Sequence, residues 1–336
     1  MKLLWSTPLT MFLLLMVGSC AKQTEGDNSA SVKTRADSQT SLSNLGLAKV
    51  TVLGTAQDAG LPQIGCQRDH CKDAWQDPSK KRLVSCLAIT DLSDQKVFLL
   101  DVTPDIREQV HLVETDLDLT ERQQRNPVDG VFLTHAHMGH YTGLLQFGFE
   151  AISTRELTVY GTARMAKFLS GNGPWSQLID FKNIKLEELQ PDRPVSVSTN
   201  LTVEAFEVPH RDEFTDTVGY LVSGPSKRLL FIPDIDHWRE WERSLQDVLN
   251  NVDYAFLDGS FFSPEELPNR DLSKIKHPLV TQTIELLGDF VKTHPVKIYF
   301  THLNHTNLLL DEDGEKRGWV ESKGFFVADD GLELEL

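Results

Sequence analysis

The sequence has 336 residues, 40% hydrophobic and 24% charged, which is enough apolar material for a sizeable core and excludes a disordered, collagenous or coiled-coil chain. The 49 acidic side chains against 33 basic ones leave a formal charge of −16, which repels polyphosphate backbones and speaks against nucleic acid as a partner. The length fits one large domain or two small ones.

The first element is a leader. Lys2 precedes a nearly continuous apolar run over residues 3–17, too short for a membrane span and of the right length for an export signal. It closes on Val17-Gly-Ser-Cys20, which resembles a bacterial lipoprotein box, with an ordinary secretory leader as the alternative. Residues 1–19 are therefore expected to be a signal peptide, and Cys20 to be acylated and seated in a lipid bilayer. Lys22 points to the outer membrane of an exported, periplasm-facing lipoprotein. Residues 20–44 carry almost no large apolar side chains and read as a flexible tether, with the folded domain over 45–336.

In chain order, strands are expected at 48–53, 83–89 and 96–101, and a helix at 106–113. A short apolar strand over 130–134 stops at a histidine cluster, followed by a helix at 141–151, a strand at 157–160 and a helix at 163–169. Strands follow at 184–189, 195–198 and 201–208, and 219–222 with 228–232 form a hairpin around Pro225. Helices at 238–249 and 277–292 alternate with strands at 254–258 and 296–300, and 324–328 opens a final antiparallel pair. Two halves that each begin with antiparallel strands and pass into strand–helix units predict two packed sheets with helices outside.

The chemistry collects where apolar strands stop. His135, His137 and His140 follow a buried strand within six residues, a spacing that lets imidazoles share an ion. Other strand ends carry His210, Asp234 and the pair His302 and His305. With Cys20 assigned to lipid, three cysteines remain. Cys66 and Cys71 flank a tight loop containing His70, which fits either a disulfide, with Cys86 in the core, or a structural zinc.

Five segments carry a family likeness: Gly54-Thr-Ala-Gln-Asp-Ala-Gly60, Pro62-Gln-Ile-Gly-Cys66, Thr134-His-Ala-His-Met-Gly-His140 with Gly143-Leu144, Leu257-Asp-Gly-Ser-Phe261 and Thr301-His-Leu-Asn-His-Thr-Asn307. Through them the chain resembles the metallo-β-lactamase superfamily over about residues 50–330. Within it the chain is similar to the pyrroloquinoline quinone biosynthesis protein B family, with kinship to the phosphodiesterase and transfer-RNA-processing branches. The resemblance implies an α/β fold, a four-layer αβ/βα sandwich with metals at the edge between two sheets. It implies His135, His137 and His210 at one ion, His140 and His302 at a second, and Asp234 between them. His305 would join Cys66, Cys71 and His70 at a separate structural zinc, while the active site would take Zn, Fe or Mn.

One position departs from the pattern. Gly139 stands where the superfamily usually has the aspartate that binds the second metal, so a standard two-metal hydrolase does not follow, and restoring a carboxylate there is expected to add an ion. The expected activity is hydrolysis of a phosphodiester or ester-like small molecule by metal-bound hydroxide. Asp234 and His302 would be catalytic, with Asp58 orienting an imidazole from outside the ligand set. An iron-dependent oxidative enzyme and a lipid-tethered binding module are the alternatives. Trp238, Trp241, Phe261, Phe262 and Arg211 are either substrate-facing or structural, and Thr306 and Asn307 either fix the last ligand loop or meet substrate.

Overall fold

The computed structural model describes residues 47–114, 125–268 and 270–336, all within the unit Ser43–Leu336. The expected signal peptide, the acylated Cys20, the tether and the start of the folded domain at residue 45 lie outside the described residues. Among those described, no helix is long and apolar enough to cross a membrane.

Two seven-stranded sheets form the centre. In the first, β1 (Ala48–Gly54), β2 (Cys86–Asp91) and β3 (Lys96–Leu100) pair antiparallel. Then β4 (Gly130–Phe132), β5 (Leu157–Gly161) and β6 (Ile184–Glu188) continue in parallel. The second sheet repeats the scheme. There β7 (Val195–Ser196), β8 (Thr202–Glu207), β9 (Val218–Ser223) and β10 (Arg228–Ile232) are antiparallel, and β11 (Tyr254–Asp258), β12 (Lys297–Thr301) and β13 (Phe326–Val327) are parallel additions.

Strands buried on both faces explain the continuous apolar runs in the sequence. In β3, Phe98 and Leu100 face the other sheet, where Tyr220, Phe231 and Phe256 meet them. Val97 and Leu99 face outward against Ile106, Val113 and Leu169. In β10, Leu229 and Phe231 point inward, while Leu230 and Ile232 point outward against Leu245, Ile284 and Leu287. This alternation builds four layers, helix–sheet–sheet–helix, as the resemblance implies.

Several expected elements change. The region 141–151 is not one helix: a single turn over Met138–Tyr141 passes into a 3₁₀ turn over Thr142–Phe147. The Gly143 amide donates to the Val102 carbonyl at 3.0 Å, which draws the backbone out of the helical ladder. The region 238–249 likewise splits. Trp238–Glu240 forms a 3₁₀ turn, Trp241 is extended, and Ser244 caps a new helix over Leu245–Leu249 by accepting from the Asp247 amide. The final pair is corrected too: β13 joins β12 in parallel, whereas β14 (Glu333–Glu335) crosses to the first sheet and pairs with β1. The turn between them carries Gly331 at φ 90°, with its amide donating to the Val52 carbonyl at 2.7 Å. Helices over Asp69–Gln76, Trp175–Asp180 and Glu315–Ser322 had no expected counterpart.

Candidate metal centre

The strand ends that the sequence marked converge at one edge of the two sheets. The loop after β4 brings His135, His137 and His140; His210 follows β8, Asp234 follows β10 and His302 follows β12. His135 Nε2 lies 2.9 Å from His137 Nδ1, and His210 Nε2 lies 3.3 Å from the same atom. Asp234 Oδ2 sits 3.2 Å from His210 Nε2, 3.4 Å from His135 Nε2, and 3.9 Å from both His140 Nε2 and His302 Nε2. One carboxylate oxygen is thus shared by four imidazoles drawn from both sheets. The donors group as His135, His137, His210 and Asp234 on one side, and Asp58, His140 and His302 on the other.

Each of these five imidazoles uses its remaining ring nitrogen on a partner that fixes its orientation. Thr134 Oγ1 meets His135 Nδ1 at 3.0 Å, Glu213 meets His137 Nε2 at 3.1 Å, and Asp236 meets His210 Nδ1 at 3.0 Å. Asp101 holds His140 Nδ1 at 2.7 Å, and Ser260 holds His302 Nδ1 at 2.9 Å. A histidine that ligates a metal needs this second contact, which selects the tautomer and turns the free nitrogen toward the ion. The buried atoms His140 Nε2 and His302 Nε2 have no hydrogen-bond partner, a costly condition unless something else satisfies them. A cation fits such a donor set.

The electrostatics divide the rings around a fixed anion, burial favouring the neutral form of some and nearby carboxylates the charged form of others. Burial, then the neighbouring His140, pushes the pKa of His135 well below its ordinary value, and burial lowers those of His137 and His302. Burial also works against protonation of His140 and His210, but Asp101 outweighs it for the first and Asp234 for the second, whose pKa rises to about 9. Asp234 is completely enclosed, yet His210, His277 and His302 hold its carboxyl ionised.

One of the expected roles changes. Asp58 does not orient an imidazole from outside, because Asp101 already occupies the outer nitrogen of His140. Asp58 Oδ1 instead faces the inner nitrogen, His140 Nε2, at 3.8 Å. Trp238 and Trp241 take the structural alternative: both are packed into the outer core, their indole N–H groups donating to Thr283 Oγ1 and the Glu207 carbonyl. Phe262 joins that core, while Phe261 packs edge-on to His277 with ring centroids 5.7 Å apart. Arg211 lies at the rim, with Nη2 3.5 Å from His137 Nδ1. Asn307 donates to the Gly259 and Ser260 carbonyls, and Thr306 donates to Glu266, so both fix the loop that carries His302.

His277 went unnoticed in the sequence. It is buried against the centre, with Nδ1 2.8 Å from Asp258 and 3.2 Å from Asp234 Oδ1, and Asp258 and Asp234 overcome burial to raise its pKa. It precedes a helix and follows no apolar strand, so the strand-end signal that exposed the other ligands was missing.

A second donor group lies apart from the first. Cys66, His70 and His305 bring their donor atoms within 4.8 Å of one another, and His70 Nε2 and His305 Nδ1 are buried without partners. Cys71 is buried beside Cys66 but outside that set of three, and burial and then Cys66 raise its pKa to about 11. Cys66, Cys71 and Cys86 are all free thiols, with Cys86 in the core, so the disulfide alternative is not realised.

Comparison with known proteins accords with this geometry. Residues 96–303 match the family described as "Beta-lactamase superfamily domain". The chain is 26% identical over 307 residues to a coenzyme PQQ synthesis protein B of Methylorubrum populi, covering 85% of this chain and 99% of that protein. The crystal structure of Zn(2+)-bound PqqB from Methylobacterium extorquens superposes with a TM-score of 0.72 at 26% identity, over 86% of this chain and all of that one. A diphosphatase of the PhnP family shares the fold at 20% identity, with a TM-score of 0.59 over 86% of this chain and 97% of its own. With strand-end imidazoles gathered on one aspartate between two sheets, and the family match spanning most of those ligands, the chain belongs to the β-lactamase superfamily.

Proposed function

We propose that the protein is a metal-dependent hydrolase acting on a phosphodiester or ester-like small molecule. The observation that carries this reading is the position of Asp234 Oδ2, within 3.9 Å of four imidazole nitrogens whose opposite edges are all pinned. In this reading His135 Nε2, His137 Nδ1 and His210 Nε2 hold one ion, His140 and His302 face a second, and Asp234 lies between. Bound there, a divalent ion lowers the pKa of water and stabilises negative charge developing on a substrate.

The chain's own residues supply the rest. His277, with Nδ1 2.8 Å from Asp258 and 3.2 Å from Asp234, is placed at the centre to pass a proton to a leaving oxygen. Arg211, half-exposed at the rim, is placed to meet an anionic substrate. Cys66, His70 and His305, with Cys71 alongside, make a zinc site that braces the loop behind His302. The active centre takes Zn, Fe or Mn, all compatible with imidazole and carboxylate donors. Outside the described residues, we propose that Cys20 tethers the protein to the periplasmic face of an outer membrane.

A second reading, an oxidative metalloenzyme, is supported by the likeness to coenzyme PQQ synthesis proteins. Metal-stripped protein reloaded anaerobically with zinc, manganese or iron, then offered bis-4-nitrophenyl phosphate and simple lactones, separates the two. Turnover without oxygen supports hydrolysis. No turnover with any ion, together with iron-dependent oxygen consumption, overturns it in favour of the second reading.

A further inference from the structure

The glycine at position 139 offers no ligand, but the space beside it is filled by another carboxylate. A Cβ built on Gly139 would collide with Asp58 Oδ1 and stand 2.6 Å from the Asp58 Cα. The Gly139 amide donates to Asp58 Oδ1 at 3.2 Å, and the same oxygen faces His140 Nε2 at 3.8 Å. Asp58 Oδ1, His140 and His302 bring their donors within 4.8 Å of one another, and the facing nitrogens of both histidines are buried and unpartnered.

The loop that carries Asp58 is held to the loop that carries His302. Ala56 bridges to both Val84 and Leu303, the Gln57 amide donates to the Leu303 carbonyl at 2.9 Å, and Asn304 donates to Gln57 Oε1 at 2.6 Å. The backbone just before Asp58 is therefore held on two flanks, and the Asp58 carboxylate faces the ligand side of His140.

We propose that Asp58 is a direct metal ligand that replaces, from the connection between β1 and β2, the carboxylate absent at position 139. The second ion site is then complete, with Asp58, His140, His302 and Asp234 as its donors. Gly139 is required for it, because any side chain there would occupy the volume of Asp58. Positions 58 and 139 become alternative origins for one carboxylate, and only one of them can carry it on this backbone. This reverses the expectation that an aspartate restored at Gly139 adds an ion.

The proposal rests on the centre's binding metal but not on the reaction it performs, so its test is metal content without substrate. The full-length protein is saturated with zinc, freed of excess and analysed by inductively coupled plasma mass spectrometry, with folding followed by circular dichroism. Asp58→Ala and the near-isosteric Asp58→Asn are each expected to lose one zinc equivalent relative to the unaltered protein, as is His140→Ala. Gly139→Asp alone is expected to lose that equivalent, and the exchange Asp58→Gly with Gly139→Asp to regain it. Unchanged zinc content in a folded Asp58→Asn protein overturns the proposal. So does a gain of zinc in Gly139→Asp alone, or failure of the exchange to restore what Asp58→Gly loses. Full loading without hydrolysis would count against the proposed reaction and leave the ligand assignment standing.

Discussion

At the scale of single residues, the centre depends on groups one contact removed from the ligands. Asp101 is fully buried, accepts from the Thr134 amide and hydroxyl at 2.8 and 2.9 Å, and holds His140 Nδ1 while its own backbone sits at φ 71°. A non-glycine residue in the left-handed region persists when its surroundings over-determine it, and His302, at φ 60°, is in the same condition. Asp101→Asn keeps the shape but removes the charge. It is expected to weaken metal affinity about 10–100-fold, read by competition with a chromogenic chelator, and Asp101→Ala to cost about 3–5 kcal/mol in urea unfolding by stranding a buried imidazole. The ligands themselves were legible, since histidines after apolar runs have few other reasons to cluster. Their supports were not: Asp101, Asp236 and Ser260 sit among ordinary strand-end residues, and only the folded contacts reveal which imidazole each one turns. Asp58 was legible as a candidate but not in its position, because nothing in the sequence sets residue 58 against residue 139.

At the scale of elements, the two sheets are clamped at an edge by Asp91, the last residue of β2. Its carboxylate takes hydrogen bonds from Ser93 and the Asp94 amide in its own turn, and from Ser198 and Asn200 beside β8. Burial works to raise the Asp91 pKa, but these donors, Ser198 foremost, hold it well below the usual carboxylate range. A depressed folded pKa stabilises the protein above the unfolded value, near 4, and the benefit disappears as pH falls through the folded pKa. Asp91→Asn is therefore expected to cost about 3 kcal/mol near neutrality, with the gap in urea midpoint narrowing steadily below about pH 4. A gap independent of pH would remove the carboxylate from that role. At the second donor group, Cys66→Ala is expected to release one zinc equivalent and leave the histidine cluster loaded, as metal analysis would read. Strands were read well because two-sided burial leaves an apolar run, whereas helices near 141–151 and 238–249 were overextended. In both, local periodicity was overruled by a tertiary hydrogen bond, from the Gly143 amide in one case and from the Trp241 indole in the other.

For the whole molecule, the repeated antiparallel-then-parallel plan was readable from the order of apolar runs. The crossing of β14 back to the first sheet was not, since residues 324–335 carry no signal for which sheet each short strand joins. The plan places His135, His137 and His140 on loops of one sheet and His210, Asp234 and His302 on loops of the other. An ion that binds only the folded state adds about 2.7 kcal/mol at a hundredfold excess over its dissociation constant. The melting temperature is thus expected to fall with a chelator and to climb with zinc concentration, checked by differential scanning calorimetry, and a zinc-insensitive melt would contradict binding at this seam. Cations lodged there would act as rivets through two plates. Prising the plates apart would mean stripping the rivets, so the loaded centre would also lock the sandwich shut, and the spacing that serves chemistry would be the spacing the mated sheets enforce.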